Sequence, residues 1–144
     1  MAYGVGVVLG LFTCALARLA GFDRDRAFFP VILIVIASYY ALFAVMGGSM
    51  NTLIVESIVI TVFVAIAVAG FRLNLWLVAA ALAAHGIFDL VHGSFVANPG
   101  VPTWWPRFCL AYDVIVAAVL AFLLLQRLTV IPVATTSNKG SVKA

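Results

Sequence analysis

The chain has 144 residues, 66% of them hydrophobic and only 9% charged, with a formal net charge of +3. Soluble domains run about 45–50% apolar and about 25% charged, so the composition excludes an ordinary soluble fold and points to the membrane class. The basic residues are scattered along the chain, which excludes the clustered positive surface that nucleic acid needs as a partner.

Five apolar stretches, 3–20, 27–47, 52–71, 73–96 and 105–126, are long enough to cross a hydrocarbon core of about 30 Å at about 1.5 Å per residue. The first has no basic residue ahead of it and Arg18 near its end, the reverse of a cleaved secretion signal, so it is expected to stay as a span. Its Gly6, Gly10 and Cys14 form a small-residue stripe suited to close helix contact, within the bundle or across a dimer seam. Asp23-Arg24-Asp25-Arg26 alternates in sign and reads as a solvated turn, and Pro30 falls early in the second helix, where it does little harm. Tyr39 and Tyr40 follow, pointing about 100° apart, so at most one can share a face with other polar groups.

Glu56 lies about one turn into the third span. The fourth carries His85, Asp89 and His92 at i, i+4 and i+7, within an arc of about 60° on one face. Residues 97–107 connect it to the fifth span: Pro99-Gly100 signals a turn and Pro106 suits a first helical turn. Trp104 and Trp105 read as interfacial anchors, or with Arg107 as a lid over the polar groups. Asp113 follows inside the fifth span, and 129–144 reads as a disordered tail after a single bundle over 1–128.

Arg18, Arg24, Arg26, Arg72, Arg127, Lys139 and Lys143 fall on one side of a five-span topology, and Arg107 alone falls on the other. That bias places the C-terminus and its tail in the cytoplasm and the N-terminus outside. The expected fold is therefore all-α, a polytopic membrane protein built as one bundle of five transmembrane helices. In that frame His92, Asp89 and His85 lie about 6, 10 and 16 Å below the outer edge and Asp113 about 12 Å below it. Four helices bring polar groups to one outer stratum. The same arithmetic puts Cys14 and Cys109 about 10 Å apart in depth, too far for a disulfide, so both thiols are expected free.

A charge at bilayer depth costs about 2.5–3.5 kcal/mol on insertion scales, so these ionisable groups mark a functional site by default. His85, Asp89 and His92 are the candidate metal ligands: an i, i+4 pair can hold one ion, whereas i, i+7 is separated by about 10.5 Å on a straight helix. Glu56 and Asp113 are candidates for further ligand or general base. Nitrogen and oxygen ligands of this kind suit Zn, Fe, Mn or Cu. A metal-free site, in which the same groups make a hydrogen-bonded polar bridge or handle protons, stays open. Tyr39, Tyr40, Trp104, Trp105 and Arg107 are the candidate substrate contacts.

The run His85-Gly86-Ile87-Phe88-Asp89-Leu90-Val91-His92, followed by Trp104-Trp105-Pro106-Arg107-Phe108-Cys109-Leu110-Ala111-Tyr112-Asp113, resembles a family of small bacterial integral membrane proteins known only as a domain of unknown function. The shared pattern is aromatic-Asp-x-x-His, then Trp-aromatic-Pro-x-x-Cys-x-x-aromatic-Asp. The resemblance covers the last two spans and implies no activity. It implies that Asp89, His92, Cys109 and Asp113 act as a set, adds Cys109 and Tyr112 to the candidate substrate contacts, and implies a bacterial inner membrane. The chain is also similar, at the level of analogy, to the emopamil-binding sterol isomerases, which have five spans and a His-x-x-x-acid helix that His85 and Asp89 match. That family's other signatures are absent.

Three functions fit these residues. One is a membrane-embedded hydrolase or related enzyme acting on a lipid-like or small substrate through a divalent transition metal. Another is a proton- or cation-coupled transporter, although five spans without an internal repeat differ from many carriers. The third is a non-catalytic accessory subunit. Expected partners are the lipid bilayer and either a second copy of the chain or a larger membrane complex.

Overall fold

A computed structural model of the chain describes residues 1–129. It contains α1 (Ala2–Ala20), a short 3-10 turn (Phe22–Arg24), α2 (Phe28–Met46), α3 (Met50–Arg72), α4 (Leu75–His92) and α5 (Trp105–Thr129), with no strand among the described residues. All five helices are long and apolar enough to cross a membrane. The expected tail, with Lys139 and Lys143, lies outside the described residues.

Local chemistry sets the helix ends. Gly21 ends α1 at φ 80°, a left-handed position that glycine adopts without steric cost. Ser49 caps α3 by accepting a bond from Thr52 N at 3.2 Å, and Asn74 caps α4 by accepting from Trp76 N at 3.0 Å. At its other end α4 stops at His92, short of the expected 96. Gly93 and Ser94 favour turns over helix, and Ser94, Phe95 and Val96 instead bond back to the carbonyls of Val91 and His92.

The helices pack in the order α2, α3, α4, α5, α1, with α2 also touching α4. Small residues let backbones approach. A Cβ on Gly6 would stand 2.4 Å from Phe108 O and one on Gly10 3.1 Å from Ile115, so the stripe on α1 is used within the bundle, against α5. Gly70 does the same for α3 against Val78 of α4. Leu33, Val78, Leu82, Val116 and Leu120 are fully enclosed in the half of the bundle that holds the α1–α2 and α3–α4 connections.

That end also gathers the basic residues. Arg26 Nε donates to Phe71 O, and Arg26 and Arg127 border one surface hollow. Among the described residues, Arg107 is the one basic side chain at the opposite end. The charged turn is less solvated than its alternation suggests: Asp23 is buried, with its carboxylate 2.7 Å from the Arg18 guanidinium. The sign pattern could not reveal that a residue of α1 folds over to reach it. Cys14 and Cys109 are free and buried.

Candidate functional site

Glycine 86 determines how the polar groups meet. It lies between His85 and Asp89 on α4, and a Cβ there would come within 3.1 Å of Leu110 Cα and Asp113 Cβ on α5. Without that Cβ, α5 comes close enough for Asp113 to reach across. Its Oδ2 stands 2.8 Å from His85 Nδ1, and Asp89 Oδ2 lies 3.8 Å from the same nitrogen. An ionised carboxylate only accepts, so Nδ1–H donates to Asp113. All three side chains are almost completely buried.

A second cluster stands toward the end of the bundle. His92 Nε2 lies 2.9 Å from Glu56 Oε1, and Asn98 Nδ2 donates to that same oxygen at 2.9 Å and to Tyr40 O at 3.2 Å. Asn98 belongs to residues 93–104, which fold back onto the bundle. Thr52 Oγ1 donates to Ala97 O, and Gly100 presses so close to Phe43 O that any Cβ would collide with it. The Tyr40 ring joins the two clusters, with its centroid 4.1 Å from that of His92 and 6.4 Å from that of His85. Phe63 packs edge-on against His85 and Phe88 against His92.

Not every buried polar atom is satisfied. Both Asp89 carboxylate oxygens, Asp113 Oδ1, Glu56 Oε2, Tyr40 Oη and Trp105 Nε1 are buried without a hydrogen-bond partner among the described residues. The Tyr40 hydroxyl and the Cys109 thiol are the donors beside the Asp89 carboxylate and interact with it, short of well-formed hydrogen bonds. No Arg or Lys among the described residues pairs with these acids. An unpaired carboxylate in an apolar interior is costly enough that it must take up a proton or a cation.

The donor set suits a metal ion. One ligand atom each from His85, Asp89 and Asp113 can be chosen so that all lie within 4.8 Å of one another. Ligands at about 2.0–2.1 Å from a tetrahedral ion are separated by about 3.3 Å. The observed 2.8 Å between His85 and Asp113 is a hydrogen bond, shorter than that, while the 3.8 Å between His85 and Asp89 is longer. Bringing these two separations to that value takes a shift of roughly half an ångström in each carboxylate, and ligation through Nδ1 takes the loss of its proton.

The polar residues expected to share one site divide into two groups. His85 joins Asp89 and Asp113, whereas His92 joins Glu56 and lies outside the three-ligand group. Tyr40 faces the polar stratum and Tyr39 turns outward against Trp105. Trp105 packs on Tyr39, Phe43 and Phe108, while Trp104 is exposed. Arg107 is exposed and pairs with no acid among the described residues. Cys109 is buried beside Asp89, and Tyr112 is half-buried on the α1 side of α5. Sequence reasoning missed Asn98. An Asn before Pro99-Gly100 reads as a turn residue, and only the stranded charge of Glu56 hints that a donor must come from outside the helices.

Comparison with protein-family models, curated proteins and solved structures finds no match for this chain.

Proposed function

We propose that the five helices cross a bacterial inner membrane with the N-terminus outside, and that His85, Asp89 and Asp113 hold one divalent transition metal ion in the outer half of the bilayer. The Asp89 carboxylate carries this reading, because it is buried with only the Tyr40 hydroxyl and the Cys109 thiol as nearby donors, no well-formed hydrogen bond and no Arg or Lys among the described residues beside it. The orientation is supported by the gathering of Arg18, Arg24, Arg26, Arg72 and Arg127 at one end. The bacterial membrane is supported by the resemblance in the last two helices.

Charge balance decides what the triad can take. Two carboxylates and a neutral imidazole sum to −2, which one divalent ion cancels. Two protons cancel it equally, one on His85 and one on Asp89. Asp89 then offers the ligand oxygens, His85 the nitrogen, and Asp113 either a third oxygen or the hydrogen bond that fixes the imidazole ring. A bound ion would supply Lewis acidity toward a polar group of a lipid-like or small substrate. Glu56, paired to His92, is placed to accept a proton, and His92 borders a hollow of about 540 Å³ beneath residues 96–102 that leads out of the bundle.

Elemental analysis of folded, purified protein tests the site. About one equivalent of a transition metal is expected, falling to background in His85→Ala and Asp89→Asn. Affinity should weaken as pH falls, by up to about a hundredfold per pH unit where two protons compete for the same groups. Background metal in well-folded wild-type protein at neutral pH overturns the proposal.

A second reading uses the same balance. The exchange of two protons for one cation, with the Tyr40 ring in contact with both His92 and His85, suits a proton-coupled cation carrier. Its signature is a pH-dependent flux in proteoliposomes that Asp113→Asn abolishes, and an unchanged flux in that variant rejects it.

A further inference from the structure

Between α2 and α5, with α1 along one side, lies an apolar cleft of about 350 Å³. Ile32, Ile36 and Tyr39 form one wall and Trp105, Cys109 and Tyr112 the other. Its size falls in the range of about 300–1,000 Å³ typical of small-molecule sites. The cleft exists because α1 and α2 each pack on the far side of their neighbours, leaving the faces between them unpaired. It opens sideways, among Val31, Val35 and other residues exposed on the apolar outer surface.

Three features identify its occupant. Its volume of about 350 Å³ is too small to enclose a helix, whose diameter is about 10–12 Å with side chains, but it accepts a thin flexible chain. Its outer end is lined by the Trp105 indole, at the start of α5. Indoles favour the headgroup level, where ester and phosphate oxygens are the available acceptors. At its floor Cys109 separates it from the Asp89 carboxylate.

We infer that this cleft binds one hydrocarbon chain of a bilayer lipid, with the lipid's ester region at Trp105 and the chain running along α2 toward Ile32. The inference rests on the bundle being membrane-inserted, and it gives the proposed metal centre a substrate class, a lipid arriving laterally within the bilayer. The upper part of such a chain would pass Cys109, which stands between the cleft and Asp89.

Photolabelling tests it in the full-length chain, in vesicles of phosphatidylethanolamine and phosphatidylglycerol doped with a phospholipid bearing a diazirine on one acyl chain. Crosslinks mapped by mass spectrometry should concentrate on the cleft residues of α2 and α5. Val35→Trp, which plugs the cleft from an exposed position, should reduce those crosslinks at least fivefold. Val62→Trp on the exposed face of α3 should leave them unchanged.

Crosslinks spread evenly over all outward-facing residues overturn the inference. So does a Val35→Trp variant that labels like wild type, and so does a protein–protein crosslink through the cleft, which would mark it as an interface between two copies. Carbonate extraction and metal content measured on the same vesicles separate the readings. Failure of labelling in an inserted, metal-bearing protein rejects the cleft alone, and an extractable protein rejects membrane insertion.

Discussion

In the half of the bundle nearest the Arg cluster, α2, α4 and α5 meet through Leu33, Val78, Leu82, Val116 and Leu120. In the other half α3, α4 and α5 meet through Glu56, His85, Asp89, His92 and Asp113, with Tyr40 of α2 against them. The first half is close-packed hydrocarbon and its stability comes from shape. The second buries atoms that have lost water and gained no partner, a condition that a purely structural core avoids. Helices already tied together at one end can tolerate such a cluster at the other, which is how an expensive arrangement persists in a chain this small.

The largest expected contrast is between Leu82→Ala and Asp89→Asn in metal-free protein. Leu82→Ala opens a cavity in the packed half and should cost about 2–5 kcal/mol in reversible unfolding. Asp89→Asn keeps the shape and removes the need for a proton or a cation at that position, and should leave stability within about 1 kcal/mol or raise it. Equal losses in both variants would show that the two halves are held together in the same way.

Next in size is Asn98→Ala. It strips one donor each from Glu56 and the Tyr40 carbonyl and should cost about 1 kcal/mol. It should also speed chemical modification of His92 relative to His85, read by peptide mapping with a histidine reagent. Unchanged reactivity would mean that residues 93–104 do not cover that end.

Smallest is Arg107→Ala. With an exposed side chain and no acidic partner among the described residues, it should shift stability by less than about 0.5 kcal/mol and leave metal content unchanged. A loss of metal would return Arg107 to the role of counter-charge that its place in the sequence suggests.

Much of this was legible before any coordinates. Helix number followed from apolar runs measured against a fixed rise per residue, and the level shared by Glu56, His85, Asp89 and Asp113 followed from counting inward from their ends. What periodicity could not supply was the rotation of neighbouring helices. His85, Asp89 and His92 do share a face of α4, yet Asp113 meets that face low and Glu56 meets it high, so one expected site became two clusters. The approach that produces this depends on Gly86, whose meaning lies in α5 and is invisible along α4. The apolar Phe95 and Val96 carry the fourth apolar stretch on to 96 in the sequence. The backbone turns there because Gly93 and Ser94 release it and Asn98 finds a buried acceptor.

The glycine seam between α1 and α5 bears on how the protein is made. The whole of α2, α3 and α4 lies between those two helices in the chain. At about 5–20 residues per second, translation leaves α1 waiting on the order of ten seconds for its mate. During that interval Gly6 and Gly10 present a bare backbone groove to any passing helix. The bundle is therefore most vulnerable while α1 waits, and α5 is the helix that closes this seam.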